Sequence, residues 1–186
     1  MRFELAEAMA ILARTPGVLR AMLGGLDQRW VASNYGPDTF SPFDVLGHLI
    51  HGEKTDWIPR ARAILAHGAA QPFEPFDRYA MYAANRGRPI AELLDEFESL
   101  RAASLDALRA LHLTDSDLDR PGLHPALGPV TMRQLLAMWP VHDLNHIAQI
   151  CKAMAWQYGD EVGPWRAYVS ILPREEAAPK NAKPTH

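Results

Sequence analysis

Apolar positions recur at three- and four-residue steps over four stretches, roughly residues 3–28, 42–67, 89–112 and 132–157. No comparable stretch alternates with the period of two that a half-buried strand requires, so the pattern predicts an all-α chain. The second helix opens at Ser41-Pro42-Phe43-Asp44, with a Ser cap, a Pro at the first helical position and an acid at N3. The fourth opens at Thr131-Met132-Arg133-Gln134, in capping-box spacing. The third follows Gly87-Arg88-Pro89 and runs through Leu93, Leu94, Phe97, Leu100, Leu105 and Leu108, and its outward face is expected to carry Glu92, Glu96 and Arg101. Thr15-Pro16-Gly17 is expected to kink or divide the first helix, because Pro16 removes a backbone donor and crowds the preceding turn. Pro59 is placed to do the same to the second.

The connections differ in character. Residues Gly68 to Arg88 hold Pro72, Phe73, Pro75, Phe76, Tyr79 and Tyr82, a long loop too aromatic for a flexible linker. It is either a lid over one end of the core or a wall of a ligand pocket. From Asp119 to Val130 turn formers are dense enough for a small hairpin. No repeat and no second domain is visible, so one folded unit is expected over residues 1–172. The tail, residues 173–186, is charged and rich in Ala and Pro and is expected to be disordered.

Composition narrows the function classes. A chain of 186 residues that is 48% apolar has material for one continuous core. A formal charge of −3 offers no basic surface for phosphates, which argues against nucleic-acid binding. Cys151 is the only cysteine, so an internal disulfide and a Cys-rich zinc ribbon are excluded, and any metal must be held by His and carboxylates. Glu4 and Glu7 interrupt the N-terminal apolar stretch, unlike a signal peptide, and no apolar run approaches membrane-spanning length. A soluble, cytoplasmic protein is expected.

At about 100° per residue, positions 135, 138, 139, 142, 146, 149, 150, 153 and 156 fall on one side of the fourth helix. His142 and His146 therefore lie one turn apart in the stripe expected to face the core, where an imidazole without a polar partner costs free energy. Such a pair can bridge one divalent ion, or it can be two hydrogen-bonded histidines. On the second helix Asp44, His48, His51, Gly52 and Thr55 cluster opposite Leu46, Ile50, Trp57 and Ile64, so periodicity turns His48 toward water. The small Gly52 and Thr55 leave room beside it for an open cavity. Pro140, two residues before His142, predicts a kink that serves either a strained site or a bend around the core.

Two segments carry a family resemblance: Ser41-Pro-Phe-Asp-Val-Leu-Gly-His48-Leu-Ile-His51-Gly-Glu53 and His142-Asp-Leu-Asn-His146-Ile-Ala-Gln-Ile150. With Pro72-Phe-Glu-Pro-Phe-Asp-Arg-Tyr79, His124-Pro-Ala-Leu-Gly-Pro-Val-Thr131 and Val162-Gly-Pro-Trp-Arg-Ala-Tyr168, the chain resembles the DinB-like superfamily over nearly all of its folded part. The resemblance implies a four-helix bundle, frequent homodimers, and His48, His142 and His146 as ligands of a divalent metal. It also implies an inward His48, against the periodicity. A three-His site keeps coordination positions open; zinc is the default ion, with nickel, iron or manganese open. Relatives named by chemistry include transferases using low-molecular-weight thiols such as bacillithiol or mycothiol, a thiol-dependent isomerase, and hydrolases.

Around such a site Asp44, Asn145 and Gln149 are candidates to orient imidazoles, with helix capping the plainer role for Asp44. Glu53 and Asp56 are carboxylates that lie around the helix from His48, which counts against either as a general base. His51 reads as a pocket or surface residue rather than a fourth ligand, and His67, His112, His124 and His186 receive no metal role. Arg78, Arg133 and Arg166 are candidate partners for substrate carboxylates. The expected function is a metal-dependent S-transferase or hydrolase acting on a small molecule. The alternative is a non-catalytic bundle that binds a small ligand or a partner, with a structural metal or none.

Overall fold

Prolines divide two of the four long helices in the structure, a computed structural model in which residues 1–172 are described; the expected disordered tail, 173–186, lies outside the described residues. The first helix is split into α1 (Leu5–Leu12) and α2 (Thr15–Leu23). Pro16 has no N–H to offer the carbonyl of Leu12 four residues back, and the side chain of Arg101 donates to that carbonyl instead, at 2.9 Å. A short α3 (Gln28–Ala32) follows. The second long helix is split into α4 (Pro42–Thr55) and α5 (Trp57–His67), the break falling at Asp56 with φ −108° and ψ −74°. Pro59 withholds a donor from the carbonyl of Thr55, and the helix bends where that bond is missing. The aromatic segment contains α6 (Ala80–Asn85); α7 (Ile90–Ala110) and α8 (Asp115–Leu118) lead to the hairpin, and α9 (Met132–Trp156) is the last long helix. A 3₁₀ turn, Gly163–Tyr168, follows it.

Both predicted capping boxes are present. Asp44 N–H donates to Ser41 Oγ at 3.2 Å and Ser41 N–H to the Asp44 carboxylate at 3.0 Å. The Thr131–Gln134 pair repeats the exchange at the start of α9. Helix α9 is unbroken through the buried Pro140. The hairpin is an antiparallel pair, β1 (Pro121–His124) and β2 (Gly128–Thr131), in the register Pro121 opposite Thr131 and His124 opposite Gly128. Phe73 N–H donates to the carbonyl of Leu123 at 2.9 Å, tying the aromatic segment to the hairpin.

The four helical rods pack as a bundle in which α4 touches α3, α5, α6, α7 and α9. This central position explains why two-faced periodicity misplaces His48: α4 buries Val45, Leu46, Leu49 and Ile50 and also His48, Gly52 and Glu53, so it has almost no water face. In α9 the buried positions 132, 136, 139, 143, 146, 150 and 153, with Leu135 and Pro140 buried beside them, follow alternating steps of four and three. That is the knobs-into-holes period of about 3.5 residues. The stripe is thus turned from the predicted one: Met138 and Trp156 are exposed, and Asp143 is fully buried. In α7 the same spacing joins Leu94, Phe97, Arg101, Ser104 and Leu108. Arg101, expected on the outward face, is only 1% exposed.

The apolar core forms two clusters. One gathers Leu12, Trp57, Ile64, Leu105 and Trp139; the other gathers Leu19, Ile50, Leu93, Phe97 and Ile150. Between them, on the second, third and fourth rods, stand Glu53, Arg101 and Asp143, a charged layer at mid-height. Every guanidinium N–H of Arg101 is used: Nε donates to Glu53 (3.0 Å), Nη2 to Glu53 (2.7 Å) and Asp143 (3.1 Å), Nη1 to Asp143 (2.6 Å) and Leu12 O (2.9 Å). Burial works to lower the Arg101 pKa, but Asp143 and Glu53 outweigh it and hold it above its ordinary value.

Candidate metal centre

Three imidazoles meet beside this charged layer. Helix α4 contributes His48, and α9 contributes His142 and His146, one turn apart. His48 Nε2 lies 3.2 Å from His142 Nε2, which lies 3.1 Å from His146 Nε2. One ligand atom from each ring lies within 4.8 Å of the others, and no further His, Cys or carboxylate joins the cluster among the described residues. His48 and His146 are buried and His142 half-buried.

Electrostatics keep these rings neutral. Burial first, then the neighbouring His146 and Arg78 charges, pushes the His48 pKa down to about 3. Burial, with His146 and His48, brings His142 to about 3 as well. His146 is also lowered by burial, partly offset by its bond to Gln149 and by Asp143. Gln149 Oε1 accepts from His146 Nδ1 at 2.9 Å, which fixes the proton on Nδ1 and turns a lone pair from Nε2 toward the cluster. Nδ1 of His48 and of His142 are buried without a hydrogen-bond partner among the described residues. Packing aims the rings: Phe76 meets His48 edge-on at 5.3 Å, and Trp57 meets His142 at 5.2 Å.

The donor set suits a divalent ion. Nitrogen ligands about 2.0–2.1 Å from a tetrahedral ion stand about 3.3 Å apart, close to the His48–His142 and His142–His146 separations. Three neutral imidazoles leave at least one position for a water or substrate.

The remaining candidates sort plainly. Asp44 serves the cap of α4. Asn145 lines the cavity at the cluster, and Gln149 both lines it and holds His146. Glu53 is committed to Arg101 and accepts from Trp139 Nε1 at 3.1 Å, so it is no free base. Asp56 pairs with Arg60 at 2.6 Å, and burial pushes its carboxyl pKa up. His51 packs on Phe76 at 4.8 Å outside the cluster. His67 and His112 are exposed, and His186 lies outside the described residues. His124, given no role by the sequence reading, lines the cavities beside the cluster. Arg133 is held by Asp119 at 2.9 Å, and Arg166 donates to the Gly159 carbonyl at 3.0 Å; only Arg78 of the three arginines lines a cavity at the cluster. In the aromatic segment Phe73 and Met81 are buried in the core, while Phe76 and Arg78 line the cavity.

The buried Arg101–Glu53–Asp143 layer was missed, although its signal was present. Arg101 sits four residues after Phe97 and four before Leu105, inside the apolar stripe, and Asp143 sits four after Trp139 and three before His146.

A helical bundle with three convergent imidazoles from its second and last rods defines a class of candidate metal-binding bundles. A sequence model of the DinB superfamily matches residues 11–150, and the chain belongs to that superfamily. Among solved structures it is similar to YfiT from Bacillus subtilis, described as "a probable metal-dependent hydrolase with an unusual four-helix bundle topology". The two share 20% identity with a TM-score of 0.70, over 83% of this chain and 87% of that one, a likeness of fold. Comparison with curated proteins finds no match.

Proposed function

We propose that His48, His142 and His146 hold one divalent metal ion with open coordination positions and that the protein is a metal-dependent hydrolase of small molecules. The observation that carries this reading is the convergence of three imidazole nitrogens at 3.1–3.2 Å steps with no fourth ligand from the described residues. The fold shared with YfiT supports the reaction class. Zinc suits the donor set best; nickel, iron and manganese accept the same nitrogens. When bound, such an ion supplies Lewis-acid chemistry, polarising a carbonyl and lowering the pKa of a water or thiol in its open positions. The chain's own part is to keep three rings neutral, to fix His146 through Gln149, and to pack His48 and His142 against Phe76 and Trp57.

A second reading, a thiol-dependent S-transferase, is favoured by Arg78, whose charge faces the same cavity and could receive a thiol's carboxylate. A matched panel of esters, amides and low-molecular-weight thiols, run on each metal-loaded form, separates the two. Ester or amide cleavage without turnover of any thiol supports the hydrolase, and thiol consumption without cleavage overturns it.

The reading extends to a homodimer, in a reducing, cytoplasmic setting that suits the single Cys151. Val141 and Leu144, 57% and 52% exposed on α9, continue with Ala148 as an outward apolar row suited to a second copy. Light scattering of the parent and of a Val141→Glu/Leu144→Glu variant tests it. A dimer lost in the variant supports that surface, and a monomeric parent refutes the dimer. No helix among the described residues is long and apolar enough to cross a membrane.

A further inference from the structure

Two cavities of different character meet at the three-His cluster. The first, about 920 Å³, contains His48 and His146 in its wall together with Arg78, Asn145, Gln149 and Lys152. The second, about 640 Å³, contains His48 and His142 together with Trp57, Phe73, Leu127, Val130 and Met138. His48, Phe76 and His124 belong to both. A ligand atom at the cluster would therefore have one cavity on each side of it.

Their charges differ. No Asp or Glu lines the first cavity, although the chain as a whole carries a formal charge of −3. Arg78 lies over the rings of Phe40 and Tyr79, at 5.7 and 5.5 Å, and Lys152 over Tyr35 at 4.5 Å. Neither pairs with a carboxylate among the described residues, whereas Arg20, Arg60, Arg101, Arg109 and Arg133 all do. Two cations kept on aromatic faces and out of ion pairs are free to receive an anion. In the second cavity the only formal charges, Asp56 and Arg60, neutralise each other at 2.6 Å, and the rest of the wall is chiefly aromatic and aliphatic. His124 stands at the junction with Nδ1 accepting the amide N–H of Ala126 and of Leu127, both at 3.1 Å.

We propose that the site takes a two-ended substrate: a carboxylate or similar anion held by Arg78 and Lys152, an apolar group in the cavity beyond His142, and the reacting group between them at the three imidazoles. This rests on the metal reading above for the position of the reacting group. The two flanking recognition sites rest on the cavity walls alone.

Three probes dissect it by calorimetry on metal-free and zinc-loaded protein. N-benzoylglycine carries both ends, N-methylbenzamide lacks the carboxylate, and N-acetylglycine lacks the ring. N-benzoylglycine is expected to bind about tenfold or more tightly than either truncated probe, since a charge-assisted pair and a buried ring are each worth at least that factor. The Arg78→Gln/Lys152→Gln variant should lose only the preference over N-methylbenzamide. The Leu127→Ser/Met138→Gln variant should lose only the preference over N-acetylglycine. These four side chains are exposed or half-buried, so the fold should tolerate both changes. Equal affinity for all three probes, or a carboxylate preference that survives Arg78→Gln/Lys152→Gln, overturns the proposal. Metal content of the same samples separates the two claims. One ion per chain without probe discrimination overturns the two-ended site and leaves the metal reading intact; discrimination in protein that takes up no metal does the reverse.

Discussion

Arg101 shows how a charged side chain comes to occupy a core position. It has five donors and meets five acceptor contacts from Glu53, Asp143 and Leu12, so its burial leaves none of its N–H groups unsatisfied. Removing it strands two buried carboxylates. Arg101→Leu is therefore expected to cost about 3–5 kcal/mol in urea unfolding, whereas removal of the exposed Arg109, paired with Asp106, should cost under about 1 kcal/mol. Similar costs for the two would contradict the buried layer. The histidines make the opposite case, neutral groups kept neutral. The unfolded chain binds protons on His48 near its ordinary value of 6.5, and the folded chain only near 3, so between these values acid favours unfolding. Metal-free protein should keep full stability above pH 6.5 and lose it as the pH falls toward 3, with His48 alone accounting for about 1.4 kcal/mol per pH unit. His48→Gln should flatten that dependence, and an unchanged slope would count against a buried neutral ring. His142 and His146 were legible from their one-turn spacing. His48 was legible only through the family resemblance, because its own helix carries polar and small residues around it.

Helix starts were the most legible elements, since Ser41 with Asp44 and Thr131 with Gln134 state their caps locally. The breaks near Pro16 and at Asp56 followed from lost amide donors for the same reason. What periodicity could not supply was the number of neighbours each helix has. Helix α4 is enclosed by five elements, and a helix buried nearly all round has no stripe to read. In α7 Arg101 was placed on the outward face, and in α9 Asp143 fell outside the expected core-facing stripe, yet both belong to the buried pattern. The hairpin was legible from its turn formers, and its role follows from packing. A Cβ on Gly122 would come within 2.7 Å of Ile64 Cγ1 and 2.8 Å of Phe73 Cζ, both side chains buried. Gly122→Ala is expected to cost about 1–3 kcal/mol by thermal or urea unfolding. A neutral result would mean that the hairpin does not press on α5 and the aromatic segment as described.

In the whole molecule the charged layer and the imidazole cluster share one level of the bundle. Trp139 stacks on Trp57 at 5.4 Å and donates to Glu53, while Trp57 packs on His142, so buried packing runs from Arg101 to the cluster. The two apolar clusters pack above and below that level, and the cavities open from it. This arrangement suits a site whose rings must be placed before any ligand arrives. Metal content of untagged protein, prepared without chelator, tests the account most directly when compared with His48→Ala, His142→Ala and His146→Ala. About one divalent ion per chain in the parent and a large loss in each variant is the expected result. No metal under any loading condition, or full metal content in the variants, would contradict it.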